Sequence, residues 1–186
     1  MRIYAGTSGF SYPAWRGSFY PADLAADAML AHYATLLPAV EVNNTFYRMP
    51  KPDVVGRWRG QVDARFRFVV KASRAITHTK KLLETQSAVA FLHRSLGELG
   101  DNLGGVLLQL PKWVRKDLAL LESFLDTWPA GLPPVFEFAH ASWSEPDALA
   151  ALRARGVGVC SNDEHCEGLP ELHATCLLYT SPSPRD

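Results

Sequence analysis

The sequence has little cysteine and no excess of charge of either sign. Three of the 186 residues are cysteine (Cys160, Cys166 and Cys176), an odd number confined to the end of the chain. This count argues against a disulfide framework, and the spacing matches no common zinc motif. Lys and Arg number 19, as do Asp and Glu, so the formal net charge is zero. Proteins that bind nucleic acid mainly through its phosphates are usually basic, so the net charge does not indicate a nucleic-acid partner.

Long apolar runs, a leader and nucleotide-binding glycine motifs are also missing. No apolar run approaches the roughly 18 residues needed to cross a bilayer, so we predict no membrane partner. The opening segment MRIYAGTSGF lacks the basic and then apolar pattern of a signal peptide, which makes the reducing cytoplasm the expected location. The glycines match neither a Walker loop nor a G-x-G-x-x-G motif. We therefore predict no cofactor and no bound metal.

The composition is that of a globular protein, with 47% hydrophobic and 20% charged residues, and it excludes a disordered chain. Short segments typical of strands alternate with longer amphipathic ones. Six strands are predicted, at residues 2–7, 40–46, 65–72, 105–111, 134–139 and 156–163. Five helices are predicted between them, at about 25–36, 52–61, 83–99, 117–128 and 145–155.

This alternation predicts a parallel sheet with right-handed crossovers, either open and doubly wound or closed as a barrel. We favour an α/β fold of the TIM-type (β/α)8 barrel class. Because a complete barrel needs about 250 residues, we expect an incomplete one with about six of eight strand–helix units. Residues 1–175 are predicted to form this single partial barrel domain. The segment LLYTSPSPRD begins like a seventh strand, but CLLYTSPSPRD resembles translated adapter sequence. We therefore expect residues 176–186 to be a non-native or disordered tail.

The predicted strands carry apolar residues and then polar residues near their C-terminal ends. These polar residues are Ser8, Glu41, Asn43, Lys71, Gln109, Glu137 and Asp163. Alternation places Glu41 and Asn43 on one face of their strand, with Val40 and Val42 on the other. In a barrel, such residues can point inward and meet at the mouth where active sites lie. Buried charges are costly unless they are paired, hydrogen-bonded or solvated, and a function is one reason to retain them.

Each polar residue also has a structural interpretation. Glu41, Asn43 and Glu137 could form a satisfied network with Lys71, and Gln109 could satisfy backbone groups. The other candidates have ordinary alternatives too: a turn for Asp163, a solvated loop for His78, a helix cap for His140 and packing for Trp143. The aromatic-rich loop GTSGFSYPAWRGSFYP, which contains Trp15, could line a site or form a hydrophobic plug over the bottom or side of the barrel.

Five separate motifs resemble one family. GTSGFSYPAWRGSFYP, VEVNNTFYRMP, FRFVVKASRAITH, LLQLP and FEFAHASW are similar in order and spacing to the YecE-like family, also called domain of unknown function 72. The resemblance covers essentially residues 3–163 and implies a complete TIM-type barrel, of which this chain would be a C-terminally truncated form. It also implies one pocket that contains Glu41, Asn43, Thr45, Tyr47, Lys71, His78, Gln109, Glu137, His140, Trp143 and Asp163. The chain departs from the family at Ala139, where an arginine is usual.

These observations together predict an enzyme that performs acid/base chemistry on a small, sugar- or phosphate-containing substrate. The catalytic candidates are Glu41, Lys71 and Glu137. The substrate-binding candidates are Ser8, Trp15, Asn43, Tyr47, His78, Gln109, His140, Trp143 and Asp163. Two alternatives stay open. One is a metal-dependent hydrolase or phosphodiesterase, which the charge of Lys71 opposes. The other is a protein that binds a small ligand without turnover.

Overall fold

The computed structural model describes residues 3–162 and 176–180. In this part of the chain, parallel strands form one sheet whose spatial order follows the chain order. The strands are β1 (Gly6–Ser8), β2 (Ala39–Val42), β3 (Arg67–Lys71), β4 (Leu103–Leu110), β5 (Pro134–Phe138), β6 (Gly158–Asn162) and β7 (Cys176–Thr180). A parallel sheet in which each strand lies beside its neighbours in sequence is the arrangement of a (β/α) barrel wall.

A helix lies in each of the first five connections between strands. The helices are α1 (Met29–Leu36), α2 (Pro52–Arg59), α3 (Gln86–Leu96), α4 (Leu118–Asp126) and α5 (Pro146–Ala154). The prediction of an α/β fold, a TIM-type barrel that is incomplete, is confirmed. The longest of these helices has 11 residues, and none in the described ranges combines the length and the apolar character that crossing a bilayer needs.

The two faces of the sheet bury different side chains. The main hydrophobic core lies between the sheet and the helices and includes Val40, Val42, Phe68, Val70, Leu108, Phe136, Leu92, Leu96, Leu121 and Leu152. A smaller cluster lies on the opposite, inner face of the sheet and consists of Val69, Leu107, Val135 and Cys160. Because side chains alternate along a strand, the residues two positions beyond Val69, Leu107 and Val135 face the same way.

The second strand is shorter than predicted. β2 ends at Val42, and Asn44–Phe46 form a 3-10 turn where the sequence predicted continued strand. The buried Thr45 hydroxyl lies 2.9 Å from the carbonyl oxygen of Val42 and 2.7 Å from that of Lys71. This side-chain contact with the backbone replaces strand pairing at that point, so the β-favouring composition of the segment does not extend the strand.

Two predictions concern the end of the chain. Residues 176–180 pair with β6 as the parallel strand β7, in line with the strand-like beginning of that segment. The division of the chain at residue 175, and the interpretation of 176–186 as a non-native or disordered tail, stay predictions. Asp163, a predicted substrate-binding residue, lies outside the described residues.

Hydrogen bonds connect the loop that follows β4 to the loop that follows β5. The Trp143 indole N–H donates to the carbonyl oxygen of Val114 at 3.0 Å, and the Lys116 backbone N–H donates to the Ser142 hydroxyl at 2.9 Å. The Lys116 ammonium also pairs with the Asp147 carboxylate at 2.6 Å. Exposed ion pairs contribute little by themselves, but the buried indole and the backbone contact hold the two loops, and the strand ends beneath them, in one arrangement.

Replacing Thr45 with valine tests how much its hydroxyl stabilises the ends of β2 and β3. Valine keeps the shape of the side chain but removes a donor from two carbonyl oxygens, so we expect the free energy of unfolding to fall by about 1–3 kcal/mol. Urea denaturation followed by circular dichroism measures this change. Thr35→Val is the matched control, because the Thr35 hydroxyl is exposed and donates to the His32 carbonyl oxygen within α1. Equal losses in the two variants would contradict the special role of Thr45.

Candidate functional site

The candidate site is a layer of polar side chains at the carboxyl ends of β2 to β5. On three strands, the residue two positions beyond an apolar member of the inner cluster is polar: Lys71 after Val69, Gln109 after Leu107 and Glu137 after Val135. On β2, Glu41 pairs in register with Val69, so its side chain lies on the same inner face of the sheet. We call Glu41, Lys71, Gln109 and Glu137 the inner polar layer. Active sites of parallel barrels are built at this end of the strands.

Hydrogen bonds from neighbouring residues fix Glu41 on the β1 side of the layer. The Asn43 amide donates to the Ser8 hydroxyl, and the Ser8 hydroxyl donates to Glu41 Oε1 at 3.1 Å. Glu41 Oε2 and Asn43 Oδ1 are buried and have no hydrogen-bond partner within the part of the chain that the structure describes. Because buried polar atoms are normally paired, this corner of the site has spare capacity to accept hydrogen bonds.

A second hydrogen bond orients the carboxyl group on the other side of the layer. Gln109 and Glu137 lie directly opposite each other on β4 and β5. Gln109 Nε2 donates to Glu137 Oε1 at 3.0 Å, and Glu137 is 3% exposed. The sequence left open that the Gln109 amide only satisfies backbone groups. In the structure, it binds the Glu137 side chain. A buried carboxyl group held in this way has a defined orientation.

Electrostatic effects connect the three predicted catalytic residues. Burial raises the pKa of the Glu41 carboxyl, because desolvation disfavours its charged form. The positive charge of Lys71 lowers the pKa of Glu41, as do hydrogen bonds from Ser8 and Asn43, and the negative charge of Glu137 raises it. Such effects require the groups to lie within electrostatic range of one another. Lys71 and Glu137 therefore both lie within electrostatic range of Glu41.

His78 lies beside this layer on a π-helical turn, Ala75–Thr79, that follows β3. Burial lowers the pKa of its imidazole, and the positive charges of Lys71 and Arg74 lower it further. The Thr77 hydroxyl lies 2.9 Å from Nδ1. His78 is half-buried. The alternative considered from the sequence was a histidine in a solvated loop. The surroundings of His78 favour the neutral imidazole.

Four rings lead from the inner polar layer towards solvent, and we call Phe46, Tyr47, His78 and Trp113 the aromatic row. The Lys71 ammonium lies 5.3 Å from the centre of the Phe46 ring. The Phe46 ring centre is 4.9 Å from that of His78 and 5.1 Å from that of Tyr47. The Trp113 ring centre is 6.2 Å from that of His78. Tyr47 and Trp113 are 77% and 61% exposed.

Phe46 and Trp113 were not among the site residues predicted from the sequence. Phe46 was assigned to the second strand, and only the 3-10 turn that replaces the end of this strand places its ring beside Lys71. Trp113 follows Pro111 in the polar segment PKWVRK. An aromatic residue immediately after a strand end was a usable signal, because functional residues of barrels lie in these loops.

Trp15, a predicted substrate-binding residue, packs inside the loop that follows β1. Its ring centre is 4.6 Å from that of Tyr12 and 5.2 Å from that of Phe19. The Tyr12 hydroxyl donates to the carbonyl oxygen of Ser8. Trp15 is thus connected to the site through Tyr12 and Ser8, and its packing is of the kind expected for the plug alternative. Its contact with a substrate stays a prediction.

His140 and Trp143, also predicted to bind substrate, have structural roles. His140 Nδ1 accepts the Ser142 backbone N–H at 3.1 Å and so caps the short turn Ala141–Ser144. Trp143 is 2% exposed and stacks on Phe138 with ring centres 4.4 Å apart. This burial favours the packing alternative for Trp143, and its contact with a substrate stays a prediction. A ligand contact through the second ring nitrogen of His140 stays a prediction.

The arrangement suits proton transfer and polar binding. Two buried carboxyl groups, an ammonium and an amide converge, and such groups can give, accept and hold protons. Among the side chains that the structure describes, no three or more His, Cys, Asp or Glu residues form a group able to hold a metal ion.

Comparisons with known proteins place the chain among proteins without an assigned reaction. The model of the family "Protein of unknown function DUF72" matches residues 4–181. The UPF0759 protein YecE of Escherichia coli K12 is 34% identical over 161 residues, which are 83% of this chain and 57% of YecE. The UPF0759 protein YunF of Bacillus subtilis 168 is 25% identical over 180 residues, 89% of this chain and 63% of YunF. The chain spans less than two thirds of the length of either relative.

Solved structures agree with the fold. A DUF72 family protein from Thermotoga maritima MSB8 superposes with a TM-score of 0.73 at 27% identity, covering 86% of this chain and 64% of that one. A DUF72 family protein from Enterococcus faecalis V583 has a TM-score of 0.71 at 21% identity, covering 87% and 61%, and supports the fold alone. The family match over most of the chain, together with the identity to YecE, confirms the resemblance noted in the motifs: this chain belongs to the DUF72 family of proteins of unknown function.

Proposed function

We propose that the inner polar layer is part of an active site that performs acid/base chemistry on a small, sugar- or phosphate-containing substrate. The observation that supports this most directly is the placement of Glu41 and Glu137. Both carboxyl groups lie on the inner face of the sheet at the carboxyl ends of their strands, with Lys71 on a strand between them. Charged groups are retained at such a position when they have a functional role or when hydrogen bonds and opposite charges pair them completely.

The two carboxyl groups have different surroundings, as a pair that divides acid and base work requires. Burial raises the pKa of Glu41, which suits a group that delivers a proton to the substrate. Glu137, whose carboxyl group is oriented by a hydrogen bond from the Gln109 amide, takes the complementary role of accepting a proton. We therefore assign Glu41 as the acid and Glu137 as the base.

Lys71 supplies positive charge in the same layer. An ammonium can bind a phosphate or carboxylate of the substrate as a point charge, and it can stabilise negative charge that develops in the transition state. Its charge also lowers the pKa of Glu41, against the effect of burial. We assign Lys71 to binding and to charge stabilisation.

The alternative functions have less support. A metal-dependent hydrolase or phosphodiesterase would place a cation next to the charge of Lys71, and the described side chains include no metal-binding group. A protein that only binds a ligand does not need two carboxyl groups in different surroundings, and turnover measurements separate it from an enzyme. The small-molecule ligand and the cytoplasmic location stay predictions from the sequence.

Glu137→Gln removes the proposed base and keeps the size of the side chain. The 186-residue chain is assayed with a panel of nitrophenyl glycosides and nitrophenyl phosphate esters. For an accepted substrate, we expect kcat to fall by about 100-fold or more, because one proton-transfer group is lost. Binding should change by less than about threefold, since most substrate contacts remain. Released nitrophenolate measures turnover, and calorimetry measures affinity.

Glu122→Gln is the matched control, because Glu122 is an exposed residue of α4, and it should leave kcat and affinity unchanged. Compounds that bind without any turnover would show a ligand-binding protein and overturn the catalytic proposal. Wild-type kcat in Glu137→Gln would show that Glu137 is not the base.

The raised pKa of Glu41 makes the stability of the fold depend on pH. A carboxyl group whose pKa is raised by folding stabilises the folded chain below its ordinary value of 4.5, and this contribution is lost as the pH rises through the raised pKa. Glu41→Gln imitates the protonated group at every pH. We therefore expect its free energy of unfolding to exceed that of the wild type increasingly as the pH rises from 4.5 to the raised pKa, and by a constant amount above it. Urea denaturation at several pH values checks this trend, and a difference independent of pH would contradict it.

Lys71→Met tests whether Lys71, Glu41 and His78 share one electrostatic environment. Lys71 lowers the pKa of both Glu41 and His78, so removal of its charge should raise both pKa values. Titration followed by NMR of the Glu41 carboxyl carbon and the His78 ring protons measures the two shifts. Lys112→Met, at an exposed position just after β4, should change neither value. If only one of the two groups responds to Lys71→Met, the three do not form one site.

A further inference from the structure

We propose that the exposed rings of Tyr47 and Trp113 form a stacking platform for a pyranose ring, so that the substrate of the inner polar layer is a sugar. This inference rests on the proposed function and selects one of its two substrate classes. It assigns a binding role to Trp113, which neither the sequence motifs nor the family match points to.

The position of the aromatic row supports the platform. Its members come from the loops after β2, β3 and β4, which all lie at the same end of the barrel as the inner polar layer. Phe46 and His78 pack edge to face, with their ring planes 83° apart, and connect the outer two rings to each other. Phe46 also lies beside the Lys71 ammonium. A ligand that covers the outer rings therefore lies next to the inner polar layer.

The exposure of the outer rings supports a ligand contact. Tyr47 and Trp113 are 77% and 61% exposed, although aromatic side chains gain much from burial. A single exposed apolar residue needs no explanation, but two exposed rings joined through Phe46 and His78 at the mouth of a polar site are of the kind that contact ligands. Phe46 and His78 pack against the two outer rings and restrict their motion, so little conformational entropy is lost on binding.

The hydrogen-bonding capacity of the inner polar layer favours a sugar over a phosphate. Glu41 Oε2 and Asn43 Oδ1 are buried acceptors without a partner among the described residues. A ligand that reaches Asn43 Oδ1 must bring a donor, and a sugar hydroxyl group can donate there and also accept the proton of Glu41, whereas a phosphate dianion offers acceptors alone. One face of a pyranose carries mainly C–H groups, which pack on an aromatic ring while the hydroxyl groups at the ring edge stay free for polar contacts.

The experiment measures binding to the 186-residue chain without requiring turnover. The probes are the methyl pyranosides of glucose, galactose, mannose and xylose, and inorganic phosphate is the counter-probe. Saturation-transfer NMR detects binding and tryptophan fluorescence gives Kd. We expect at least one pyranoside to bind more tightly than phosphate. Trp113→Ala and Tyr47→Ala should each weaken that pyranoside by about five- to tenfold, the effect of losing one ring contact.

Leu36→Ala is the matched control, because Leu36 is 55% exposed but ends α1, at the opposite end of the barrel from the site. It should leave pyranoside affinity unchanged, and circular dichroism verifies that all variants are folded. The inference is overturned if no pyranoside binds, if phosphate binds more tightly, or if both ring variants keep wild-type affinity. Its failure is distinct from that of the proposed function: loss of turnover in Glu137→Gln with unchanged affinity in Trp113→Ala rejects the platform alone. Ring-dependent binding without turnover rejects catalysis alone.

Discussion

Parallel register is the constraint on which the rest of this structure depends. After a register shift between Phe68 and Val69, β3, β4 and β5 pair residue by residue, so their alternate side chains must share one inner surface. Val69, Leu107 and Val135 close that surface with apolar groups, and the next inward position on each strand lies at its open end. A polar residue there can meet solvent or a ligand. The same residue one layer deeper would lie among apolar side chains at a cost of several kcal/mol.

The charges of the inner polar layer depend on one another. Burial opposes ionisation of Glu41, and the ammonium of Lys71 partly offsets that effect. The same ammonium, with burial, disfavours a charged His78. One lysine therefore acts on a carboxyl group and an imidazole in opposite senses: it favours the charged form of the first and the neutral form of the second. A site with this arrangement can hold groups of different proton affinity within a small volume without a metal ion.

Much of this fold follows from local patterns in the sequence, and the site follows from them in part. The helices were predicted close to their observed bounds because their apolar residues repeat with the helical period and because Pro146 begins α5 as a first-turn proline. Alternation along the strands correctly separated Val40 and Val42 from Glu41. These are properties of neighbours in sequence, and they do not depend on distant contacts.

The errors come from contacts between distant residues. The end of β2 depends on a hydroxyl of Thr45 that reaches a carbonyl oxygen on β3, and no local pattern contains that contact. For Trp143 the sequence left packing and ligand contact both open, and the contacts of its indole with Phe138 and with Val114 in the preceding loop favour packing. Local order predicts which face a side chain takes, whereas tertiary packing decides whether that face is open.

The short turn around Thr45 joins the two ends of the site. Asn43, which bonds Ser8 beside Glu41, precedes Thr45 by two residues, and Phe46 follows it directly. The Thr45 hydroxyl binds this turn to the backbone of Lys71, so no hinge separates Tyr47, the next residue after the turn, from Asn43 and its contacts beside Glu41. A ligand on the Tyr47 ring that changed the pKa of Glu41 would, by linkage, be bound with an affinity that depends on the protonation of Glu41 to the same degree.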